Sequence, residues 1–84
     1  MTLDSLKPGE TARITAVNWD QLVPEEGKRL RALGFDAGAE VGVAYRGVFA
    51  GSDPLAITIG RMTVALRRVH ASAMQIEAVE AVEA

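Results

Sequence analysis

His70 is the only histidine in the chain and therefore the first candidate for acid–base chemistry. A hydrolytic triad requires a histidine beside a nucleophile and an orienting acid. Ser72 lies close by in the sequence, but no spacing brings a glutamate to the pair. We therefore predict no catalytic residue and no enzyme activity.

A metal site is the second chemistry that His70 could serve. Such a site needs three or four ligands within reach of one another. The chain has no cysteine, and His70 with Glu77 or Glu80 supplies too few ligands. We predict no metal ligand and no cofactor, and keep a direct metal sensor built on these residues as an alternative.

The basic run Lys28, Arg29 and Arg31 is the strongest surface feature of the sequence. It is either a solvated helix face or a contact surface for an acidic partner or for phosphates. The formal net charge of the chain is -2, so we expect no global attraction to nucleic acid. We interpret the run as part of a protein-binding surface.

Aromatic side chains are few and scattered outside the expected core. A nucleic-acid platform would interleave them with basic residues. Trp19 either covers an edge of the core or is exposed as an interface anchor. Phe49 lies in a glycine-flanked loop, 47–53, of a kind that often makes contacts. The predicted partner-binding residues are Lys28, Arg29, Arg31, Tyr45 and Phe49.

The bulk properties indicate one small domain covering residues 1–84. Hydrophobic residues make up 49% of the chain, which is enough for a globular core. The absence of cysteine in so small a domain indicates a reducing compartment. The chain opens without a charged and apolar leader and has no apolar run of bilayer length, so we expect a cytoplasmic protein without membrane insertion.

The first part of the chain predicts a turn, a strand and a helix. Leu3 and Leu6 lie in a short N-terminal turn, 1–9, and are expected to fill one end of the core. Alternation over 10–17 predicts a half-buried strand with Ala12, Ile14 and Ala16 on its inner face. Residues 22–34 cover the only long helix and its glycine stop, with proline and glutamates favouring its first turn.

Gly27 is the awkward residue of this helix, because glycine in a helix interior costs about 1 kcal/mol relative to alanine. It lies three residues before Leu30, on the expected buried face. We interpret it as a position that lets the helix lie close against the sheet. Gly27→Leu is then expected to destabilise the protein by overpacking.

The helix end is predicted to be fastened to the next strand. Gly34 occupies the position of a left-handed C-cap, and Phe35 is placed to contact the last helical turn. A turn at 36–38 then leads into a strand at 40–46, along which Val41, Val43 and Tyr45 alternate.

A hairpin follows at 54–67, with Gly60 and Arg61 in a two-residue turn. Its register sets Leu55 opposite Leu66, Ile57 opposite Val64 and Ile59 opposite Met62, which makes every pair apolar.

After a short turn at 69–73, Met74, Ile76 and Ala78 alternate as a last strand, and 80–84 are expected to fray. The fold class is therefore mainly β. We predict a small, SH3-like, partly open antiparallel barrel of about five strands with one inserted α-helix and a short N-terminal helical turn.

Four pieces of sequence, spread over almost the whole chain, carry a family resemblance. They are residues 3–10, 29–35 with 38–41, 51–57, and 64–68 with Ile76. Their order and spacing together resemble the ferrous iron transport protein A (FeoA) family. The loop that contains Trp19 matches no motif of that family.

The resemblance implies an SH3-like barrel and a small cytoplasmic accessory of FeoB, the membrane-embedded ferrous iron transporter with a GTP-binding domain. Such an accessory binds the transporter at its G domain or membrane-proximal face and modulates its GTP hydrolysis or assembly. The protein would then be peripheral to the inner membrane through its partner.

Two alternatives remain open from the sequence. The same domain type occurs at the C-terminus of metal-dependent repressors, which keeps an SH3-like regulatory module possible. Small barrels also bind nucleic acids, and such binding would weaken steeply with salt.

Overall fold

The computed structural model describes residues 1–46 and 54–79. Its strands and helices are β1 Thr11–Val17, α1 Pro24–Ala32, β2 Glu40–Arg46, β3 Leu55–Ile59, β4 Met62–Leu66, α2 Arg68–Ala71 and β5 Met74–Ala78. Short 3₁₀ turns occur at Leu3–Ser5 and Trp19–Gln21. The predicted loop at 47–53 and the predicted frayed end at 80–84 lie outside the described residues.

The strands form one 5-stranded antiparallel sheet in the order β4-β3-β2-β1-β5. The N-terminus covers the outer edge of β5, because the Ile76 amide donates to the Met1 carbonyl at 2.9 Å. The sheet does not close into a full barrel. This architecture confirms the predicted fold class, a partly open antiparallel barrel with few helices.

Two register shifts bend the sheet, one in β1 between Ile14 and Ala16 and one in β2 between Val43 and Tyr45. A bulge adds a residue to one strand and increases its local twist, which is how a short sheet curls around its own core. The prediction that Ala16 faces inward is wrong, because the shift after Ile14 leaves it exposed. Ala12 and Ile14 are buried as predicted.

The core is almost entirely aliphatic and lies inside the curled sheet. Its largest fully buried side chains are Phe35, Leu3, Ile14, Leu30, Leu55, Ile57, Leu66 and Met74. Leu6 is buried as well, so both leucines of the N-terminal turn fill the core as predicted. Among the described residues no polar or charged residue is buried.

The end of α1 forms the predicted glycine cap. The Phe35 amide donates to the Leu30 carbonyl and the Gly34 amide to the Arg31 carbonyl, each at 3.0 Å. Gly34 has φ 104, which a residue with a Cβ rarely adopts. These two bonds are those of a Schellman motif, and they direct Phe35 back into the core.

The hairpin register is confirmed residue by residue. Leu55 pairs with Leu66, Ile57 with Val64 and Ile59 with Met62. The turn at Gly60 and Arg61 fixes which residues of the two arms face each other. Because apolar residues alternate on both arms, each apolar residue then pairs with another apolar residue.

Helix α1 is shorter than predicted at its start. Leu22 and Val23 are extended, with ψ of 143 and 147, and the helix begins at Pro24. The cause is local, since a proline disfavours helical geometry in the residue before it. The short turn predicted after β4 contains one turn of α-helix, Arg68–Ala71.

Candidate docking site on helix α1

A surface groove runs between the 3₁₀ turn at Trp19–Gln21 and helix α1. We call it the Trp19 groove, and its volume is about 510 Å³. It is lined by Trp19, Val23, Pro24, Gly27, Lys28, Arg31 and Ala32. The helical members recur every three or four residues, which places them along one face of α1.

The 3₁₀ turn that carries Trp19 is held by a hydrogen bond to the residue just before β5 and by one within the turn. The Asn18 amide donates to the Ala73 carbonyl at 2.8 Å, and the Leu22 amide donates to the Trp19 carbonyl at 3.1 Å. Trp19 itself is half-buried and packs against the core. Its indole therefore covers a core edge, as one of the two interpretations predicted, and it also forms a wall of the groove. The role of Trp19 as an interface anchor stays a prediction.

Arg31 closes one end of the groove. Its guanidinium carbon lies 4.3 Å from the centroid of the Trp19 ring. A cation–π contact of this kind at an exposed site is worth roughly 0.5–1 kcal/mol. The stacking also holds the guanidinium in place, which leaves its outward N–H groups ready to bind a carboxylate.

The basic run does not act as one surface. Lys28 and Arg31 line the groove, whereas Arg29 lies on the neighbouring helix face. There its Nε and Nη2 atoms donate to Glu26 Oε1 at 2.9 and 2.5 Å. The structure therefore brings two of the three predicted basic residues together and ties the third to a carboxylate of the same helix.

Among the titratable groups of residues 1–46 and 54–79, Glu26 has a pKa that is shifted from its ordinary value. Hydrogen bonds from Arg29 favour the charged carboxylate and lower the pKa of Glu26, while partial burial opposes the shift. His70 Nδ1 lies 3.8 Å from the same carboxylate oxygen. Because the folded-state pKa is below the unfolded-state value, the stabilisation is present at neutral pH and is lost as pH falls through the folded pKa.

Glu26→Gln is expected to lower the free energy of unfolding by about 0.5 kcal/mol at pH 7, a value discounted for solvent screening of an exposed pair. The difference from the unmodified chain should vanish at an acidic pH well below the lowered folded-state pKa, where the carboxyl is protonated in both states. Urea unfolding at the two pH values measures this. A stability difference that persists at low pH would show that the charged carboxylate of Glu26 is not its source.

The predicted role of Gly27 is wrong. A Cβ built at Gly27 would meet only the Trp19 side chain, at 3.6 Å from Cε3, which is ordinary van der Waals contact. The sheet is not close at this point, because Gly27 faces the groove and not the core. Gly27→Leu is therefore no longer expected to overpack the core, and its side chain would fill the groove instead.

Gly27→Ala is expected to raise the free energy of unfolding by about 1 kcal/mol, because alanine restricts the unfolded chain and suits a helix interior. For a domain of this size that corresponds to a rise in Tm of about 4–8 °C. Thermal unfolding followed by circular dichroism tests the prediction. A lower Tm would show that the position does need glycine.

The two aromatic residues of the predicted surface are not part of the groove as described. Tyr45 lies in β2 and pairs with Ala56, and its side chain is outside the described part of the structure. Phe49 lies wholly outside the described residues. Their proposed contact role stays a prediction. Sequence reasoning did not single out Val23, which lines the groove. The structure identifies it through its exposure of 62%, which is unusual for a large aliphatic residue.

Of the residues considered as metal ligands, His70 and Glu77 contact different partners, and Glu80 lies outside the described residues. His70 faces Glu26, while Glu77 pairs with Arg13 across β1 and β5 at 3.4 Å. Among residues 1–46 and 54–79, no three histidine, aspartate or glutamate side chains are grouped closely enough to hold a metal ion. His70 Nδ1 is buried without a hydrogen-bond partner in this part of the chain.

The family model of the FeoA domain matches residues 1–78. The chain belongs to the FeoA domain family. No curated protein sequence matches it. No helix of the described residues is long and apolar enough to cross a membrane.

Solved FeoA structures resemble this FeoA domain over nearly its full length. The zinc-complexed FeoA of Stenotrophomonas maltophilia is 32% identical, with 92% of this chain and 89% of that chain covered and a TM-score of 0.74. FeoA of Chlorobium tepidum is 30% identical, with coverages of 99% and 74% and a TM-score of 0.79. The former is described as an SH3 domain protein and a candidate ferrous iron transport activating factor.

Other neighbours of this FeoA domain are longer chains. It covers 46% of iron(II) transport protein A of Clostridium thermocellum, at 30% identity and a TM-score of 0.77 with 94% of this chain matched. It covers 41% of a manganese-dependent transcriptional repressor at 19% identity, also with a TM-score of 0.77 and 94% of this chain matched. The second likeness shows a shared SH3-like fold and nothing further.

Proposed function

We propose that this FeoA domain is a non-enzymatic cytoplasmic accessory of ferrous iron uptake. In this proposal it binds the cytoplasmic region of a FeoB-type GTP-binding iron transporter and modulates its GTP hydrolysis or assembly. The match of the FeoA domain over residues 1–78 carries the proposal. The description of the S. maltophilia relative as a candidate transport activating factor supports it.

The structure adds a surface on which such binding can be tested. The groove gathers Lys28 and Arg31 beside an aromatic wall formed by Trp19, and tryptophan and arginine dominate the energetics of many protein interfaces. Arg29 is already paired with Glu26, so it is expected to contribute less than its neighbours. We therefore place the transporter contact on the groove side of α1.

The test is a titration of this protein against the purified cytoplasmic region of the transporter. Reversing both charges, Lys28→Glu with Arg31→Glu, is expected to weaken binding at least about tenfold, because a rim of cations that attracts acidic groups becomes repulsive. Arg61→Glu is the control for a charge reversal elsewhere, since Arg61 is exposed at the hairpin turn and does not line the groove. It should leave the affinity unchanged.

The outcomes separate the function from its location. No binding by the unmodified protein would overturn the accessory function. Equal affinity for the unmodified chain and the double charge reversal would retain the function and move the contact away from Lys28 and Arg31.

A further inference from the structure

We infer that the Trp19 groove is a docking site for a partner segment that presents an apolar side chain beside carboxylates. The inference rests on the proposed accessory function, and it narrows that function to one surface and one ligand chemistry. Three features of the groove carry it: an open apolar floor, a rim of unopposed cations and a pre-positioned guanidinium.

The floor has space for an apolar side chain. Trp19, Val23, Pro24 and Ala32 line it, and Gly27 adds no side chain to fill it. The volume of about 510 Å³ falls within the roughly 300–1,000 Å³ of small ligand sites. Val23 stays 62% exposed at its mouth, so an inserted apolar group would remove further hydrophobic surface from water.

The rim has one sign of charge. Lys28 and Arg31 line the groove, and no carboxylate of residues 1–46 and 54–79 does. Glu26, one of the two acids of α1, accepts hydrogen bonds from Arg29 on the other helix face, and neither Glu25 nor Asp20 lines the groove. An occupant with carboxylates is therefore favoured over a basic or neutral one by charge complementarity.

Arg31 is arranged to bind such a carboxylate without much further ordering. Stacking on Trp19 restricts its guanidinium, and a planar guanidinium binds a carboxylate through two parallel N–H bonds. A free phosphate would use the cations but gain nothing from Val23 and Pro24. A peptide segment uses both, which is why we commit to a protein partner.

Trp19 is the only tryptophan, so its fluorescence reports directly on the groove. The probe is a short synthetic peptide with leucines flanked by glutamates in a glycine–serine frame. It should change Trp19 emission saturably and bind at least about tenfold more tightly than peptides with serine for leucine or lysine for glutamate. Raising the salt concentration should weaken it, because its carboxylates are screened.

Two variants test the groove itself. Gly27→Leu fills the floor, and Val23→Glu places a carboxylate at the mouth, so each is expected to reduce peptide affinity about tenfold or more. Ala65→Leu adds three of the same four carbons at an exposed position of β4 and should bind like the unmodified chain. Circular dichroism is used to check that each variant is folded. If Gly27→Leu does not fold, Val23→Glu still tests the groove.

Several results would overturn the inference. They are equal binding of the matched peptides, no emission change, tighter binding of a single-stranded oligonucleotide, or self-association of this chain that buries Trp19. Transporter binding that both groove variants leave unchanged would retain the accessory function and reject the groove. Peptide binding without transporter binding would retain the groove and reject the accessory function.

Discussion

Replacing Phe35 by alanine is expected to lower the free energy of unfolding by about 3–5 kcal/mol, the usual cost of removing a buried phenylalanine. Phe35 is completely buried, at 0% exposure. Its backbone amide also closes the cap of α1 by donating to the Leu30 carbonyl. Small domains have roughly 5–15 kcal/mol of total stability, so the variant should be largely unfolded at modest urea concentrations.

Urea unfolding followed by Trp19 fluorescence measures the effect, with an unchanged m-value showing that the two-state transition is retained. Val69→Ala is the matched control, because Val69 is a large aliphatic residue that is 58% exposed. It is expected to change stability by no more than about 0.5 kcal/mol. A loss of less than about 1 kcal/mol for Phe35→Ala would mean that the core closes over the missing ring.

The parts of the fold that were predictable from sequence depend on short-range patterns. The hairpin register follows from apolar alternation on two arms joined by a two-residue turn, as the pairs from Leu55 with Leu66 to Ile59 with Met62 show. The cap at Gly34 follows from a glycine after two leucines spaced three apart and a following aromatic residue. In each case the residues that decide the geometry are neighbours in the chain.

The predictions that were wrong concern packing between segments. Alternation alone cannot place a bulge, so Ala16 was assigned to the wrong face. Helical spacing put Gly27 on the same face as Leu30. In the structure the neighbour of Gly27 is the Trp19 side chain, which comes from the preceding 3₁₀ turn. A periodic pattern gives the face of a helix and not the identity of its neighbour.

The candidate site was predictable only in part for the same reason. The sequence gives Lys28, Arg29 and Arg31 equal weight as contact residues, because it does not show which of these cations is already paired with a carboxylate. The structure separates them through Glu26, which binds Arg29. The contact between Trp19 and Arg31 joins two different segments, and no local signal reports it.

Gly42→Val is expected to lower the free energy of unfolding by roughly 1–3 kcal/mol, as overpacking of a close contact does. A Cβ at Gly42 would lie 2.8 Å from Thr58 Oγ1 and 3.2 Å from the Glu10 carbonyl oxygen. Thr58 can rotate away, but the Glu10 oxygen belongs to the backbone that accepts from the Val43 amide. Relief therefore requires the N-terminal segment to move relative to β2.

Two further variants show whether this crowding is the cause. Ala44→Val adds a branched side chain to an exposed position of the same strand and should change stability by at most about 0.5 kcal/mol. Thr58→Ala in the Gly42→Val background removes the nearest of three contacts and should restore only part of the loss, since the Glu10 carbonyl and the Thr11 side chain remain. Full restoration would assign the strain to Thr58 alone, and an unchanged Tm for Gly42→Val would show that β1 and β2 are not held as closely here as the structure describes.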